Sequence, residues 1–596
     1  MSVAADSERV PVPAQEWFLQ QGLSVSETPP IQTLEGVHAP SNVIEEFRPV
    51  GSHLEWRLSE HYWATRGVLA FAENRVPYVV NNSGWLSLCI AEMLFASCEA
   101  TPSRERVYVV EFGCGSALFA KLFLDAFKLC CSEHGRDHYE RLTYLATDRS
   151  PAAVAQWRER LVFAEHDGHV EPLVLDANTS LPTHIAPSAV ICNYVLDVLP
   201  AAVLRKTEDG NIEQLHARTH LADANAFTKI HGEPTLAELR ELVDRDTAES
   251  RDRLLKYLPR FDLEVAFLPS DDPSRAMRDA CAEVPALERV LFNHGAIDCL
   301  TDLVPRLDPH GFIAINDYGP TQRADVSAHA SCQQFGDTTA FGLNFLMLER
   351  ELEQLGAVLV TPSGDASAAL HSRLVSRRAL PEVVRVFERH CGESARREAA
   401  HRLATAREHA AAGRLDPALI AYRDCLEHSP RDWALLGEVT EFMLGRIRDY
   451  TAAVTLAQTA LRLNPMYSAW LWNVLGDALY SLERYTEAHE AYLQAERIDP
   501  RDPRTTLNLG YSYLQRDQHE TALGVLARGL AADAAGAYRE RLLSKQAEVL
   551  AAISCRSLEQ HRRHIQRQAR LQGLPQALTV QEPSAADSPQ PARNPP

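Results

Sequence analysis

Residues 106–117 read Arg106-Val107-Tyr108-Val109-Val110-Glu111-Phe112-Gly113-Cys114-Gly115-Ser116-Ala117, and they decide the fold. An apolar run ends in an acid and then breaks on two glycines. An amphipathic stretch, Leu118 to Cys131, follows at once. The pattern predicts a buried parallel strand, a tight turn and a helix N-terminus. Such a turn brings bare backbone and a carboxylate to the carboxyl edge of a sheet, where open α/β folds bind ligands.

Working outward, short apolar runs alternate with amphipathic stretches, the signature of a parallel sheet with crossover helices. The runs are Val107–Phe112, Leu142–Thr147, Pro172–Leu175, Ala189–Cys192 and Phe312–Asn316. A further pair, Ala357–Val360 and Ala369–Val375, predicts an antiparallel edge. Residues 212–303 read as an insertion, mostly helical and polar, between the fourth and fifth runs. Before the first run lies a helical, aromatic segment with Trp56, His61, Tyr62 and Trp63. Trp63, Tyr78 and Trp85 read as packing under the sheet. Residues 1–45 are Pro-rich and irregular, and residues 46–380 are expected to form the α/β domain.

Beyond Pro381 alanine, leucine and arginine dominate and β-branched runs vanish. Pro430, Pro465 and Pro500 are evenly spaced, and Ala418, Ala453, Ala488 and Ala522 keep nearly the same step. One unit holds Trp472, Leu475, Gly476, Leu479, Ala488, Tyr492, Ala495 and Pro500. The next repeats Leu509, Gly510, Tyr513 and Ala522. These positions resemble the tetratricopeptide (TPR) pattern, whose period is about 34 residues. The expectation is an all-α TPR solenoid over residues 395–535, capping helices over 536–575 and a disordered tail over 576–596.

The chain has 596 residues and a net charge of −20. That balance argues against a general nucleic-acid or anionic-membrane binder, since both reward positive surface. The 12 cysteines show no Cys-x-x-Cys pair and read as buried free thiols of a reducing compartment. Met1 to Pro13 has neither a basic start nor an apolar run, and no stretch approaches the roughly 20 apolar residues of a bilayer span. A cytoplasmic location is expected, with no membrane partner and no nucleic-acid partner.

Two ligands compete for the glycine turn. A dinucleotide site needs a third glycine for close helix packing, and that position is Leu118. Glu111, directly before the turn, would repel a pyrophosphate. It suits a ligand with positive charge, such as the amino and sulfonium groups of S-adenosylmethionine. The run Glu111-Phe112-Gly113-Cys114-Gly115 resembles motif I of class I S-adenosylmethionine-dependent methyltransferases, with Ala117 where that family usually has another glycine. Asp148, ending the second run, is placed to accept hydrogen bonds from both ribose hydroxyls. The resemblance implies that Asp176, after the third, accepts from the adenine amino group.

The fourth run continues Ile191-Cys192-Asn193-Tyr194-Val195-Leu196-Asp197-Val198-Leu199-Pro200. It resembles the Asn-Glu-x-x-Asp-Ala-Leu-Pro signature of the MidA-like methyltransferases, relatives of a complex I assembly arginine methyltransferase. Asp148-Arg149-Ser150-Pro151, Asn316-Asp317-Tyr318-Gly319 and the segment from Gly336-Asp337 to Asn344-Phe345 resemble further stretches of that family. Asn81-Asn82-Ser83-Gly84-Trp85-Leu86-Ser87 resembles by position a family loop near the cofactor. Two positions depart from the pattern: Tyr194 stands for a Glu and Asn344 for an Asp. A guanidinium binds best to bidentate carboxylates, so both departures argue against an arginine acceptor.

The expected fold is α/β, a Rossmann-like class I methyltransferase sheet with a helical insertion, followed by the TPR solenoid. The expected cofactor is S-adenosyl-L-methionine, held by Glu111, Gly113, Gly115, Ala117, Asp148, Asp176 and Asn193. The expected catalytic residues are Asn193, which fixes the acceptor or the cofactor, and Asp197 and Asp317, which hold or deprotonate the nucleophile. No metal pattern is present: there is no His-Glu-x-x-His, and His166 and His169 lack partners in step. The expected function is methyl transfer to a protein side chain, with the repeats recruiting substrate or partner. The alternatives are methylation of a small molecule or carrier-bound intermediate, and a non-catalytic scaffold.

Overall fold

The computed structural model describes residues 42–72, 84–101, 106–222, 234–282, 284–330, 333–335, 338–368, 370–465, 468–533 and 536–571. Tyr78, Asn81 to Ser83, Gly336, Asp337, nearly all of the N-terminal segment and the tail lie outside the described residues. The chain divides into two compact units, residues 1–412 with 416–434, and residues 413–415 with 435–596. Residues 395–412 and 416–434, counted in the sequence with the repeats, thus group with the first unit. No described helix is long and apolar enough to cross a membrane.

The first unit is built on a seven-stranded sheet. Its strands are β1 (Val107–Phe112), β2 (Leu142–Asp148), β3 (Val170–Val174), β4 (Pro187–Asn193), β5 (Phe312–Asp317), β6 (Val358–Val360) and β7 (His371–Ser376). The spatial order is β6-β7-β5-β4-β1-β2-β3. β1 to β5 run parallel. β7 pairs antiparallel with both β5 and β6, which makes the antiparallel edge that the last two apolar runs foretold. Strand order reverses between β1 and β4, so a ligand crevice opens at their carboxyl ends.

β1 is buried along nearly its whole length because helices cover both faces, which is why its sequence runs apolar instead of alternating. On one face Val110, Phe112, Val190, Cys192, Ile313, Ile315 and Val375 share a core. On the other, helix α3 (Leu118–Glu133) stacks Phe119, Phe123 and Phe127 in a ladder. Tyr144 of β2 tilts against Phe123 at 5.3 Å. Among the helices before α3 are α1 (Leu54–Arg66) and α2 (Gly84–Glu99), and α4 (Pro151–Glu159) follows β2. α4 starts where Ser150 caps it and Pro151 sits in its first turn.

The insertion holds the expected helices and, in addition, strands of a second sheet. Ile212–Leu221 pairs antiparallel with Val43–Pro49, Ala202–Lys206 and Phe261–Pro269, and Ala202–Lys206 also pairs with Arg289–Phe292. The polar look of Ile212–Leu221 comes from its alternation. Leu215, Ala217, Thr219 and Leu221 are buried. Between them Arg218 pairs with Glu264 across the strands at 2.6 Å.

The second unit contains α5 (Tyr450–Leu463), α6 (Ala469–Ser481), α7 (Tyr485–Ile498), α8 (Pro503–Gln515), α9 (His519–Ala532) and α10 (Arg539–Leu571). A Cβ on Gly476 of α6 would lie 2.3 Å from the Tyr492 ring of α7. One on Gly510 of α8 would lie 2.5 Å from Leu526 of α9. The repeat glycines are therefore the places where paired helices touch. α10 is one continuous helix of 33 residues where several capping helices were expected. Leu542 and Val549 anchor it on the last repeat.

Candidate functional site

A cavity of about 170 Å³ opens at the carboxyl edge of the sheet. Its floor is the turn after β1. Gly113 and Gly115 have φ of +62° and +52°, and Ala117 completes the turn at +60°. Left-handed backbone is the reason for glycine here. A Cβ on Gly115 would meet the Phe71 ring at 2.5 Å.

The turn is held by the neighbouring strand. Asp148, at the end of β2, accepts the Gly115 N–H at 2.9 Å and the Ser150 N–H at 2.8 Å. Burial pushes its carboxyl above the usual range, partly offset by these two donors. Trp157 of α4 donates its indole N–H to the Gly115 carbonyl at 2.9 Å.

The sequence-derived residues divide into two groups. Gly113, Gly115, Asp148, Asp176, Asn193 and Asp197 all line the cavity. Glu111, Ala117 and Asp317 do not; they sit in the shell behind it. Glu111 is buried beneath the turn, where its Oε2 accepts from the Tyr144 hydroxyl at 2.7 Å and the Cys114 thiol at 2.8 Å. Burial raises its carboxyl to about 7. Glu111 thus braces the turn from below, because β1 points this side chain into the α3 face of the sheet and away from the crevice. Ala117 is fully buried at the start of α3.

Asp317 is also fully buried. Its Oδ2 accepts the backbone N–H groups of Leu196 and Asp197 at 3.2 Å each, and its Oδ1 accepts that of Tyr318. It therefore shapes the short helical turn Leu196–Val198 and presents Asp197. Burial and the neighbouring Asp197 charge hold Asp317 well above the carboxylate range. Burial raises Asp197 as well. Asp197 Oδ1 is buried and has no hydrogen-bond partner among the described residues. Asn193 accepts from Asn316 at 2.8 Å, and Asn316 in turn accepts from Ser372.

Two family departures fall in different places. Tyr194 lines the cavity and stacks on Tyr318, ring centroids 5.1 Å apart and planes 29° from parallel. Asn344 does not line it. Its side chain accepts from Met347 N–H and donates to the Leu291 carbonyl, capping the helix Phe345–Gln354. Asn344 is thus away from the cavity, and of the two departures only Tyr194 stands where it can bear on the acceptor.

Residues that the motifs did not single out complete the walls. α1 contributes Trp56, Ser59, Glu60 and Trp63. Trp63 thus faces the cavity instead of packing under the sheet, and Trp85 is not among the lining residues. Phe71 and Arg149 add to the rim, where Arg149 pairs with Glu60 at 3.3 Å. The signal for α1 was its density of aromatic residues. Among the described residues no group of His, Cys, Asp or Glu is placed to hold a metal ion.

Comparison with known proteins now adds a name to this geometry. Residues 89–340 match the model of a family described as "Putative S-adenosyl-L-methionine-dependent methyltransferase". Residues 476–517 match a TPR repeat. Two similar solved structures come from Burkholderia thailandensis. One, a "likely methyl transferase" bound to S-adenosyl-homocysteine, is 17% identical over 60% of this chain and 82% of its own, with a TM-score of 0.35. The other, an uncharacterized protein of the same superfamily, is 15% identical over 63% and 97%, with a TM-score of 0.37. A thermophilic TPR protein of Thermus thermophilus is 22% identical over 26% of this chain and 82% of its own, with a TM-score of 0.23. The search of curated proteins gives no match. Residues 89–340 are thus similar to that S-adenosylmethionine-dependent methyltransferase family, and the same chain carries a match to TPR repeats.

Proposed function

We propose that the chain transfers a methyl group from S-adenosylmethionine to a protein side chain, and that its TPR repeats recruit the substrate or a partner. The observation that carries this reading is the cavity wall that joins Gly113, Gly115, Asp148, Asp176 and Asn193 to Asp197, one oxygen of which has no partner among the described residues. The residues present fit the cofactor. The glycine turn offers close backbone approach, and the carboxylates at the ends of successive strands suit the hydroxyl and amino donors of a nucleoside. When bound, S-adenosylmethionine supplies an already activated methyl, so the protein's task is positioning and proton removal.

In this reading Asp148 holds the ribose hydroxyls and Asp176 the adenine amino group. Asn193 fixes the methionine end or the acceptor, and Asp197 faces the nucleophile. Asp317 is a positioning residue acting through the turn it holds, and Glu111 supports the glycine turn. The repeats favour a polypeptide substrate, because a solenoid groove suits an extended chain and is of most use to an enzyme acting on one.

Equilibrium binding of radiolabelled S-adenosylmethionine to the full chain tests the cofactor role. Absence of binding at high micromolar cofactor would leave only a scaffold. Label transfer into a cell lysate then tests the acceptor, with a protein band expected on a gel. Label confined to small molecules overturns the protein substrate. Removal of residues 435–596 should abolish the band, and an unchanged band removes recruitment by the repeats.

A further inference from the structure

We infer that the acceptor is a primary amine of a protein, a lysine-like ammonium, in preference to a guanidinium, a hydroxyl or a carboxylate. This inference rests on the methyl-transfer reading above and narrows its substrate class.

The sign of the cavity comes first. With Asp148 and Asp176 given to the cofactor, Glu60 and Asp197 remain in the lining, against one guanidinium, Arg149, which Glu60 already engages. A carboxylate or phosphate acceptor would enter against that field. A cation enters with it, and it meets Trp56, Trp63, Tyr194 and Tyr318 in the walls, whose ring faces attract cations.

The number of free oxygens then decides between two cations. A guanidinium is a planar fork that is held best by two carboxylate oxygens, whereas an ammonium is a compact point charge. Asp197 has one oxygen, Oδ1, buried in the wall without a hydrogen-bond partner among the described residues. The neighbouring carboxylate, Asp317, is spent on three backbone N–H groups and does not line the cavity. At the neighbouring position stands Tyr194, whose hydroxyl engages Tyr318 at 3.4 Å. An oxygen left without a donor in a buried wall costs free energy unless a ligand satisfies it, and one donor of an ammonium would do so.

The step balances with these groups. The Asp197 carboxylate takes one proton from R–NH₃⁺, leaving R–NH₂. The nitrogen lone pair forms the new N–C bond to the methyl carbon as the C–S bond breaks, its electron pair passing to sulfur. The products are R–NH₂–CH₃⁺, neutral S-adenosylhomocysteine and a protonated Asp197, which returns its proton to water.

Two measurements on the full chain test this. The first is calorimetric binding of Nα-acetyl-lysine methylamide and of Nα-acetyl-arginine methylamide to protein saturated with S-adenosylhomocysteine. The lysine probe should bind at least ~10-fold tighter, and Asp197→Asn, shown to be folded by its melting curve, should erase the difference. Equal binding, or tighter binding of the arginine probe, overturns the inference. The second is hydrolysis of labelled lysate protein to amino acids. Label in N-methylated lysine or in an N-terminal amine supports the inference, and label in methylarginine or in a base-labile ester overturns it. If no protein is labelled, the protein-substrate reading fails, and the binding preference still decides the chemistry of the pocket.

Discussion

Asp148 accepts the backbone N–H of Gly115 at 2.9 Å, so the acid at the end of one strand holds the glycine turn at the end of the next. The same carboxylate faces the cavity. One side chain thus both shapes the floor of the site and is placed to meet a ligand on it. Asp148→Ala should lower S-adenosylmethionine affinity ~10-fold or more and cost about 2 kcal/mol of stability through the two lost charged hydrogen bonds. Equilibrium binding and urea melts measure both. Asp148→Asn, which keeps an acceptor oxygen, should recover most of the stability and less of the affinity. A variant that melts earlier but binds as before would restrict Asp148 to holding the turn.

The Phe71 ring stands directly over Gly115 and tilts against Trp63 at 5.3 Å. A cavity of about 170 Å³ is smaller than the roughly 300 Å³ at which ligand pockets begin. Entry of a cofactor is therefore expected to displace this ring. Phe71→Ala is expected to bind S-adenosylmethionine several-fold faster, and association rates by stopped flow check it. An unchanged rate would show that the ring is no obstacle.

Glu111 gives stability a pH dependence of known sign. Its carboxyl lies at about 7 in the folded chain, above the usual 4.5, because burial disfavours the charge. Below pH 4.5 it is protonated in both states and costs nothing. As pH rises towards 7 the unfolded chain ionises first, so stability falls, and above 7 the loss is complete. At ~1.4 kcal/mol per unit the loss is up to about 3 kcal/mol. Glu111→Gln should lack this component. Urea melts at pH 4.5 and pH 8 should show the wild-type chain losing more than the variant, and parallel losses would disprove the assignment.

Gly476→Ala drives a methyl into the Tyr492 ring at 2.3 Å. The helix itself favours alanine by up to ~1 kcal/mol, but overpacking costs about 1–3 kcal/mol. The substitution should destabilise the second unit, read as an earlier melting step in calorimetry. Adding Tyr492→Leu should restore part of the loss. An unchanged melt would mean that α6 and α7 can separate freely.

Much of the site was legible because its pieces are local. A β-branched run, two glycines and an amphipathic stretch specify a strand, a left-handed turn and a helix from neighbouring residues alone. The acids at successive strand ends follow from counting along each run. What failed was side-chain direction. Glu111 and Asp317 read as site carboxylates from their positions, yet both point into the protein, where backbone or side-chain donors satisfy them. Adjacent residues on a strand face opposite sides, so one step in register separates a ligand group from a brace. The second sheet was missed for a related reason. Ile212–Leu221 alternates buried and charged residues, and its arginine finds Glu264 46 residues away.

The sequence by itself determined the order of the elements, the glycine turn, the carboxylates after β2 and β3, and the repeat that separates the two units, since each is set by short-range backbone and patterning preferences. Only the tertiary structure decided which of those groups share a cavity, that Tyr194 stacks on Tyr318, and that α1 and Phe71 close the site. Those relations join residues well apart in the chain, as far as Tyr194 and Tyr318, 124 positions from each other. They exist only once packing has placed the strand ends side by side.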